Sequence, residues 1–103
     1  MPLSAKARRN AGDFVRLLRW TFGPAVRLPV ASATVDGGYA LLWTGESTAN
    51  ERFVEVVFFL NRIEYAVIDS SDVTDAYGLI INGETSDPTL VMREVVKPYV
   101  AAA

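Results

Sequence analysis

The sequence predicts an α+β fold: an N-terminal helix, a five-stranded antiparallel meander sheet and a C-terminal helix, with the helices packed on one sheet face. Three observations support this prediction. Apolar residues recur at spacings of three and four near both ends of the chain, they alternate with a period of two in between, and turn-forming residues separate the alternating stretches. Helices that lie outside a run of strands favour a helical layer packed over one sheet.

The composition favours a single domain over residues 1–103. Half of the residues are apolar and 21% are charged, which is typical of a packed globule. A chain of 103 residues has room for one hydrophobic core and little room for a second. Residues 1–4 and 99–103 are expected to fray.

The first helix is predicted from Ala5 to about Trp20, with Ser4 as its N-cap. Gly23 and Pro24 end it, because proline cannot continue the hydrogen-bond ladder and glycine tolerates the turn. One apolar stripe faces the sheet and consists of Ala11, Phe14, Val15 and Leu18. A basic flank lies beside this stripe and consists of Lys6, Arg8, Arg9, Arg16 and Arg19.

Two hairpins follow the first helix. Residues 29–35 and 39–44 are predicted to pair across a tight turn formed by Asp36, Gly37 and Gly38. Residues 51–60 form the longest and central strand, which pairs with residues 63–69 across a two-residue turn at Asn61 and Arg62. One face of the long strand carries Val54, Val56, Phe58 and Leu60, and the other carries Phe53, Glu55, Val57 and Phe59.

The fifth strand is predicted over residues 77–82, followed by a loop at 83–85. Ser86 or Asp87 caps the last helix, in which Pro88 takes its favoured first position. That helix is expected to run to about Lys97, where Pro98 stops it. Two short helices cover one face of five strands, so apolar residues on the other face would be left uncovered.

Four short motifs recur in a known pattern: Leu28-Pro29, the run Asp-Gly-Gly-Tyr-Ala-Leu-Leu-Trp from Asp36 to Trp43, Phe53 to Val56, and Glu64-Tyr65. With these motifs, part of the chain resembles a small uncharacterised bacterial and phage domain. In that family a helix precedes a proline, an Asp-Gly turn, an apolar strand that ends in Trp, and a second hairpin. The resemblance covers about residues 10–70 and implies the meander fold, with no activity to carry over.

The residue inventory argues against most enzyme classes. The chain has no histidine and no cysteine, which removes the commonest general base, the thiol nucleophile and the usual zinc ligands together. It also lacks a Walker loop and a GxGxxG element. The sequence therefore predicts no catalytic residue, no cofactor and no metal site.

Carboxylates are the remaining route to catalysis. Glu55 and Glu64 are expected to face each other across the second hairpin, and such a pair could serve a carboxylate-based enzyme. The simpler interpretation is that Glu55 is solvated or pairs with Arg52 or Arg62. The loop acids at 69, 72 and 75 do not have the spacing of an EF-hand.

No membrane segment is predicted. The longest apolar run, Val56 to Leu60, is far shorter than the roughly 20 residues that a spanning helix needs. The basic N-terminal residues are not followed by the apolar core of a signal peptide. The expected location is cytoplasmic.

Charge is unevenly distributed along the chain. Up to Arg27 there are six basic residues and one acid, a balance of +5, whereas the rest holds four basic residues and eleven acids, a balance of −7. The basic flank of the first helix supports an alternative function, nucleic-acid binding. Against it, the chain as a whole is acidic and carries no helix-turn-helix or stacking motif.

The leading hypothesis is a non-catalytic protein-interaction module, such as an antitoxin-like, inhibitor-like or phage accessory protein. It would bind another protein, with a basic protein as the candidate, through an apolar sheet face or edge and an acidic surface. A homodimer is also expected, because uncovered apolar surface marks interfaces. The candidate contact residues are Trp20, Trp43, Phe53, Glu55, Phe59, Glu64, Asp69 and Asp72.

Overall fold

The computed structural model describes residues 4–44, 52–69 and 79–101. Helix α1 (Ala5–Phe22) is followed by a short 3-10 turn (Gly23–Ala25). Five strands come next: β1 (Val30–Ala33), β2 (Tyr39–Trp43), β3 (Arg52–Phe58), β4 (Ile63–Asp69) and β5 (Leu79–Thr85). Helix α2 (Pro88–Val91) then continues directly into a π-helical segment (Met92–Ala101).

The sheet is an antiparallel meander, in which the strands lie in the order β1-β2-β3-β4-β5. Both helices pack on the same face, which confirms the predicted α+β arrangement. The core lies between the sheet and the helices. Helix α1 contributes Ala7, Ala11, Phe14 and Leu18. The sheet contributes Leu41, Trp43, Val54, Val56, Phe58, Ile63 and Val67, and the C-terminal helix contributes Val91, Met92, Val95, Val96 and Val100. The other side of the sheet is called the open face below.

Helix α1 begins and ends through identifiable backbone contacts. The Ser4 side-chain oxygen accepts a hydrogen bond from the Ala7 N–H at 3.1 Å, which confirms the predicted N-cap. Gly23 ends the helix at a φ of 75°, and its N–H donates to the carbonyl of Arg19. The helix is two residues longer than predicted, because Phe22 still packs against the core.

The first hairpin turns one residue earlier than predicted. The Thr34 N–H donates to the Gly38 carbonyl at 2.9 Å, so the turn comprises residues 35–37, with Gly37 at a φ of 89°. Gly38 has another role. A Cβ atom there would lie 2.8 Å from the ring of Phe59, so glycine allows that ring to lie against the sheet.

The second hairpin also turns one residue earlier than predicted. Phe58 pairs with Ile63, and the Phe59 N–H donates to the Arg62 carbonyl at 2.9 Å. Leu60 and Asn61 therefore form the two-residue turn, and the prediction of Asn61-Arg62 was wrong. This register pairs two buried side chains, Phe58 and Ile63, while Leu60 stays 53% exposed.

Strand β5 continues through the residues predicted as a loop at 83–85. Gly83 lies opposite Tyr65, and a Cβ atom on Gly83 would be 2.6 Å from Cζ of that ring. The Tyr65 ring thus packs over the backbone of Gly83, and β5 continues through this glycine. Residues 77 and 78 of the predicted strand lie outside the described residues.

The C-terminal helix starts as predicted and ends later. Asp87 caps it by accepting a hydrogen bond from the Thr89 N–H at 2.9 Å, and Pro88 occupies the first position. Pro98 does not stop it: the chain continues to Ala101 as a π-helical segment that contains this proline. The expected fraying is therefore wrong for residues 99–101, where Val100 is buried.

In the described ranges, no helix has both the length and the apolar character that a bilayer crossing would require.

Candidate protein-binding face

Two rows of side chains cross the whole open face, as the strand register shows. The first row runs through Val30, Leu42, Glu55, Ala66 and Asn82. The second row runs through Ser32, Ala40, Val57, Glu64 and Glu84. The open face is therefore free of charge on β1 and β2 and acidic from β3 to β5.

Three glutamates on this face form what we call the acidic group: Glu55, Glu64 and Glu84. Glu64 and Glu84 lie directly opposite each other on neighbouring strands, an arrangement that destabilises a sheet when both carry the same charge. Arg62 lies between them, with its Nε atom 3.6 Å from Oε2 of each carboxylate. One cation faces three anions, so the group keeps a net charge of −2.

The acidic group differs from the sequence prediction in one respect. Glu55 and Glu64 do not face each other: Glu55 pairs with Ala66 and Glu64 pairs with Val57, so the two carboxylates are diagonal neighbours. The facing pair required by the carboxylate-enzyme hypothesis is not formed. Arg62, which was a possible partner of Glu55, instead forms ion pairs with the other two glutamates.

Phe59 supports this arrangement from the turn of the second hairpin. The Arg62 guanidinium carbon lies 4.1 Å from the centre of the Phe59 ring, within the range of a cation–π contact. The ring is half-buried, because it also packs against Gly38. Phe59 was predicted as a contact residue, and its ring lies against the arginine that pairs with the two glutamates.

An apolar row lies at the opposite end of the open face from the turn of the second hairpin. Phe53, Ile68 and Leu79 are paired across β3, β4 and β5, so their side chains are neighbours. They are 37%, 42% and 49% exposed, respectively. Single exposed apolar residues are ordinary, whereas three adjacent ones form a patch of the kind found at interfaces.

The two tryptophans have different environments. Trp43 is 0% exposed, and its indole Nε1–H donates to the Arg27 carbonyl at 2.9 Å. It is a core residue, so its prediction as a partner contact was wrong. Trp20 is 88% exposed on α1 and lies apart from the open face.

Two predicted acidic contacts fall wholly or partly outside the described residues. Asp69 ends β4, opposite Arg52, but its side chain is not among those described. Asp72 lies entirely outside the described ranges.

The basic flank lies on the helical side of the sheet. All five of its residues are exposed on α1, and Arg16 forms an ion pair with Asp13 one turn earlier. Within the described part of the chain, Lys6, Arg8, Arg9 and Arg19 have no acid at ion-pair distance. The two charge clusters thus occupy opposite sides of the sheet and do not neutralise each other.

The like-charged pair leads to a testable prediction. Replacing Glu84 by threonine is expected to raise the free energy of unfolding by up to about 1 kcal/mol, because it removes the repulsion from Glu64 and adds a good strand former. Urea denaturation at low and high salt measures the effect. The gain should shrink in high salt, and the matched variant Glu94→Thr on the C-terminal helix should not raise stability. A loss of stability in Glu84→Thr would contradict this account of the pair.

Within the described residues, no cluster of three or more acidic side chains has the arrangement needed to hold a metal ion. We compared the chain with protein-family models, with curated proteins and with solved structures, and none of the three comparisons gives a match. The candidate sites therefore rest on the geometry of this chain.

Proposed function

We propose that this chain is a non-catalytic protein-interaction module whose open face binds a protein carrying basic residues. The observation that carries the proposal is the combination of the apolar row with the acidic group on the open face, over which no helix of the described residues lies. Both helices lie on the other side and leave this surface accessible.

The two parts of the face would contribute differently to binding. Burial of Phe53, Ile68 and Leu79 removes apolar surface from water, at roughly 25 cal/mol per Å² before the costs of association. The acidic group attracts a positively charged surface and sets its orientation, which affects association rate and specificity more than affinity. An apolar contact area beside a charged area is the common composition of a protein interface.

The cost of the acidic group also favours a binding role. Two opposed glutamates weaken the sheet, and Arg62 compensates for only part of their charge. Residues that lower stability without a structural benefit are typical of functional surfaces. An antitoxin-like, inhibitor-like or phage accessory protein would use such a face against a basic, nucleic-acid-binding enzyme.

The proposal is tested with two charge reversals that differ in location. Wild-type protein, Glu55→Lys and Glu94→Lys are immobilised, and extract of the native host is passed over each. The bound protein is then purified and its affinity for each variant measured. We expect Glu55→Lys to weaken binding by about tenfold or more, because a cation would face the partner's basic residues. Glu94→Lys, on the exposed side of the C-terminal helix, should bind as wild type.

Two results would contradict the proposal. If the wild-type protein and Glu55→Lys bound with equal affinity, the acidic group would not be part of the interface. An association rate that stays constant up to several hundred millimolar salt would show that no charge attraction guides the partner. Light scattering of the pure protein distinguishes a second copy of the chain from a different partner as the occupant of the face.

A further inference from the structure

The edge strand β1 has backbone groups that point away from the sheet. Thr34 forms its backbone hydrogen bond with Gly38 of the neighbouring strand. Because alternate residues of an antiparallel strand bond to the same neighbour, Ser32 and Val30 also bond towards β2. The N–H and C=O groups of Ala31 and Ala33 therefore point outward, where the described part of the sheet has no further strand.

The only protection that β1 itself offers at this edge is its length of four residues. Natural sheets block their edges with very short strands, with charged side chains, with proline inside the strand or with bulges. β1 reads Val-Ala-Ser-Ala, its four residues are all exposed, and it pairs with β2 without a register shift. The edge is therefore a template on which another strand could form hydrogen bonds.

A groove of about 370 Å³ runs between this edge and α1. It is lined by the apolar residues Val15 and Leu28, by Tyr39, and by the basic residues Arg8 and Arg16. A second hollow beside it shares Val15, Arg16 and Leu28 and extends to the exposed Trp20. Groove and hollow together present basic residues, Arg8, Arg16 and Arg19, beside apolar ones.

We propose that β1 accepts an extended acidic segment of a partner protein as a sixth strand. The outward backbone groups of Ala31 and Ala33 bond to the segment. Its side chains opposite these two residues point to the helical side of the sheet, because paired residues share a face. They enter the groove, which Ala31 also lines, and meet Arg8 and Arg16.

The positive charge of the groove favours an acidic segment over a basic one. Arg8 has no acidic partner among the described residues, and Arg16 has only the exposed Asp13. An acidic residue in the groove would gain attraction from both arginines, whereas a basic residue would be repelled. The site is independent of the open face, so a protein could bind here whether or not the open face has a partner.

The test uses a labelled peptide, Thr-Glu-Thr-Leu-Thr-Glu-Thr, with blocked ends. Alternate positions place Glu, Leu and Glu together on one side of the added strand. A second peptide carries Lys in place of Glu, and a third is N-methylated on the residues that would bond to β1. Binding is followed by NMR of the protein amides and by Trp20 fluorescence. We expect the first peptide to bind and to shift the amide signals of Ala31 and Ala33.

Protein variants locate the contact. Arg8→Ala combined with Arg16→Ala should weaken binding by about tenfold, whereas Arg93→Ala on the C-terminal helix should have no effect. Ala33→Pro should abolish binding and preserve the fold, because proline is tolerated at an edge position whose N–H faces solvent. The N-methylated peptide tests the same hydrogen bonds with wild-type protein. Glu55→Lys should leave peptide binding unchanged, which separates this site from the open face.

Three outcomes would overturn the proposal. The first is equal binding of the Glu and Lys peptides. The second is binding that survives both Ala33→Pro and N-methylation. The third is a mobility shift of duplex DNA or RNA that is lost when Arg8, Arg9, Arg16 and Arg19 are changed to Ala, without binding of the acidic peptide; this would assign the basic flank to nucleic acid.

Discussion

Replacing Trp43 by alanine is expected to lower the free energy of unfolding by about 3–5 kcal/mol. The indole is fully buried in the core between the sheet and the helices, so its removal leaves a large cavity. The change also leaves the Arg27 carbonyl without its hydrogen bond from Nε1. Small domains are typically stable by about 5–15 kcal/mol, so this loss is a large fraction of the total.

Urea denaturation followed by circular dichroism measures the loss at Trp43. The control Trp43→Phe keeps an aromatic ring in the core but removes the N–H donor and part of the apolar volume, so it should cost less than Trp43→Ala, about 1–3 kcal/mol. The fluorescence spectrum provides a second measurement. The folded Trp43→Phe variant retains only Trp20, which is exposed, so its emission should be that of an indole in water. A loss below about 1 kcal/mol in Trp43→Ala would contradict the burial of this residue.

Replacing Phe14 by alanine is expected to have an effect of similar size, about 3–5 kcal/mol. Phe14 is buried on the sheet-facing side of α1, and its ring centre lies 5.3 Å from that of Phe58 on β3, at an angle of 55°. This tilted pair joins the first helix to the central strand. Its loss would remove both apolar burial and the preferred geometry of the two rings.

A double-mutant cycle separates these two contributions. Phe14→Leu, Phe58→Leu and the double variant keep the core apolar while they remove one or both rings. We expect a coupling energy of about 0.5–1.5 kcal/mol between the two positions, measured by urea denaturation. Strictly additive losses would show that the rings contribute through burial alone.

The sequence was most informative where a single residue type determines the backbone. Ser4 was predicted to cap the first helix and Ser86 or Asp87 the last one; Ser4 and Asp87 act as the caps, and β4 has the predicted bounds Ile63–Asp69. The hairpin turns were each misplaced by one residue, because two adjacent glycines, or the residues around Asn61, allow more than one register. The sequence predicts a stop at Pro98, whereas the helix continues past it in π-helical form, which no local pattern of residues indicates.

The candidate site was only partly predictable. On β3 both alternating sets of residues are largely apolar, so the sequence does not show which set faces the helices. In the structure Val54 is buried on the helical side and Phe53 is accessible on the open face. For the same reason Trp43 was assigned to a contact surface. Glu84 was missed because it was placed in a loop. Its position opposite Glu64 required the register of β4 with β5.

Hydroxyl-radical footprinting of the complex with the captured partner tests most directly whether the open face is the binding surface. The method reports the solvent access of individual side chains. We expect reduced oxidation of Phe53, Ile68 and Leu79, with no change at Leu60 in the turn of the second hairpin. Unchanged oxidation of the apolar row, with protection elsewhere on the chain, would contradict the account.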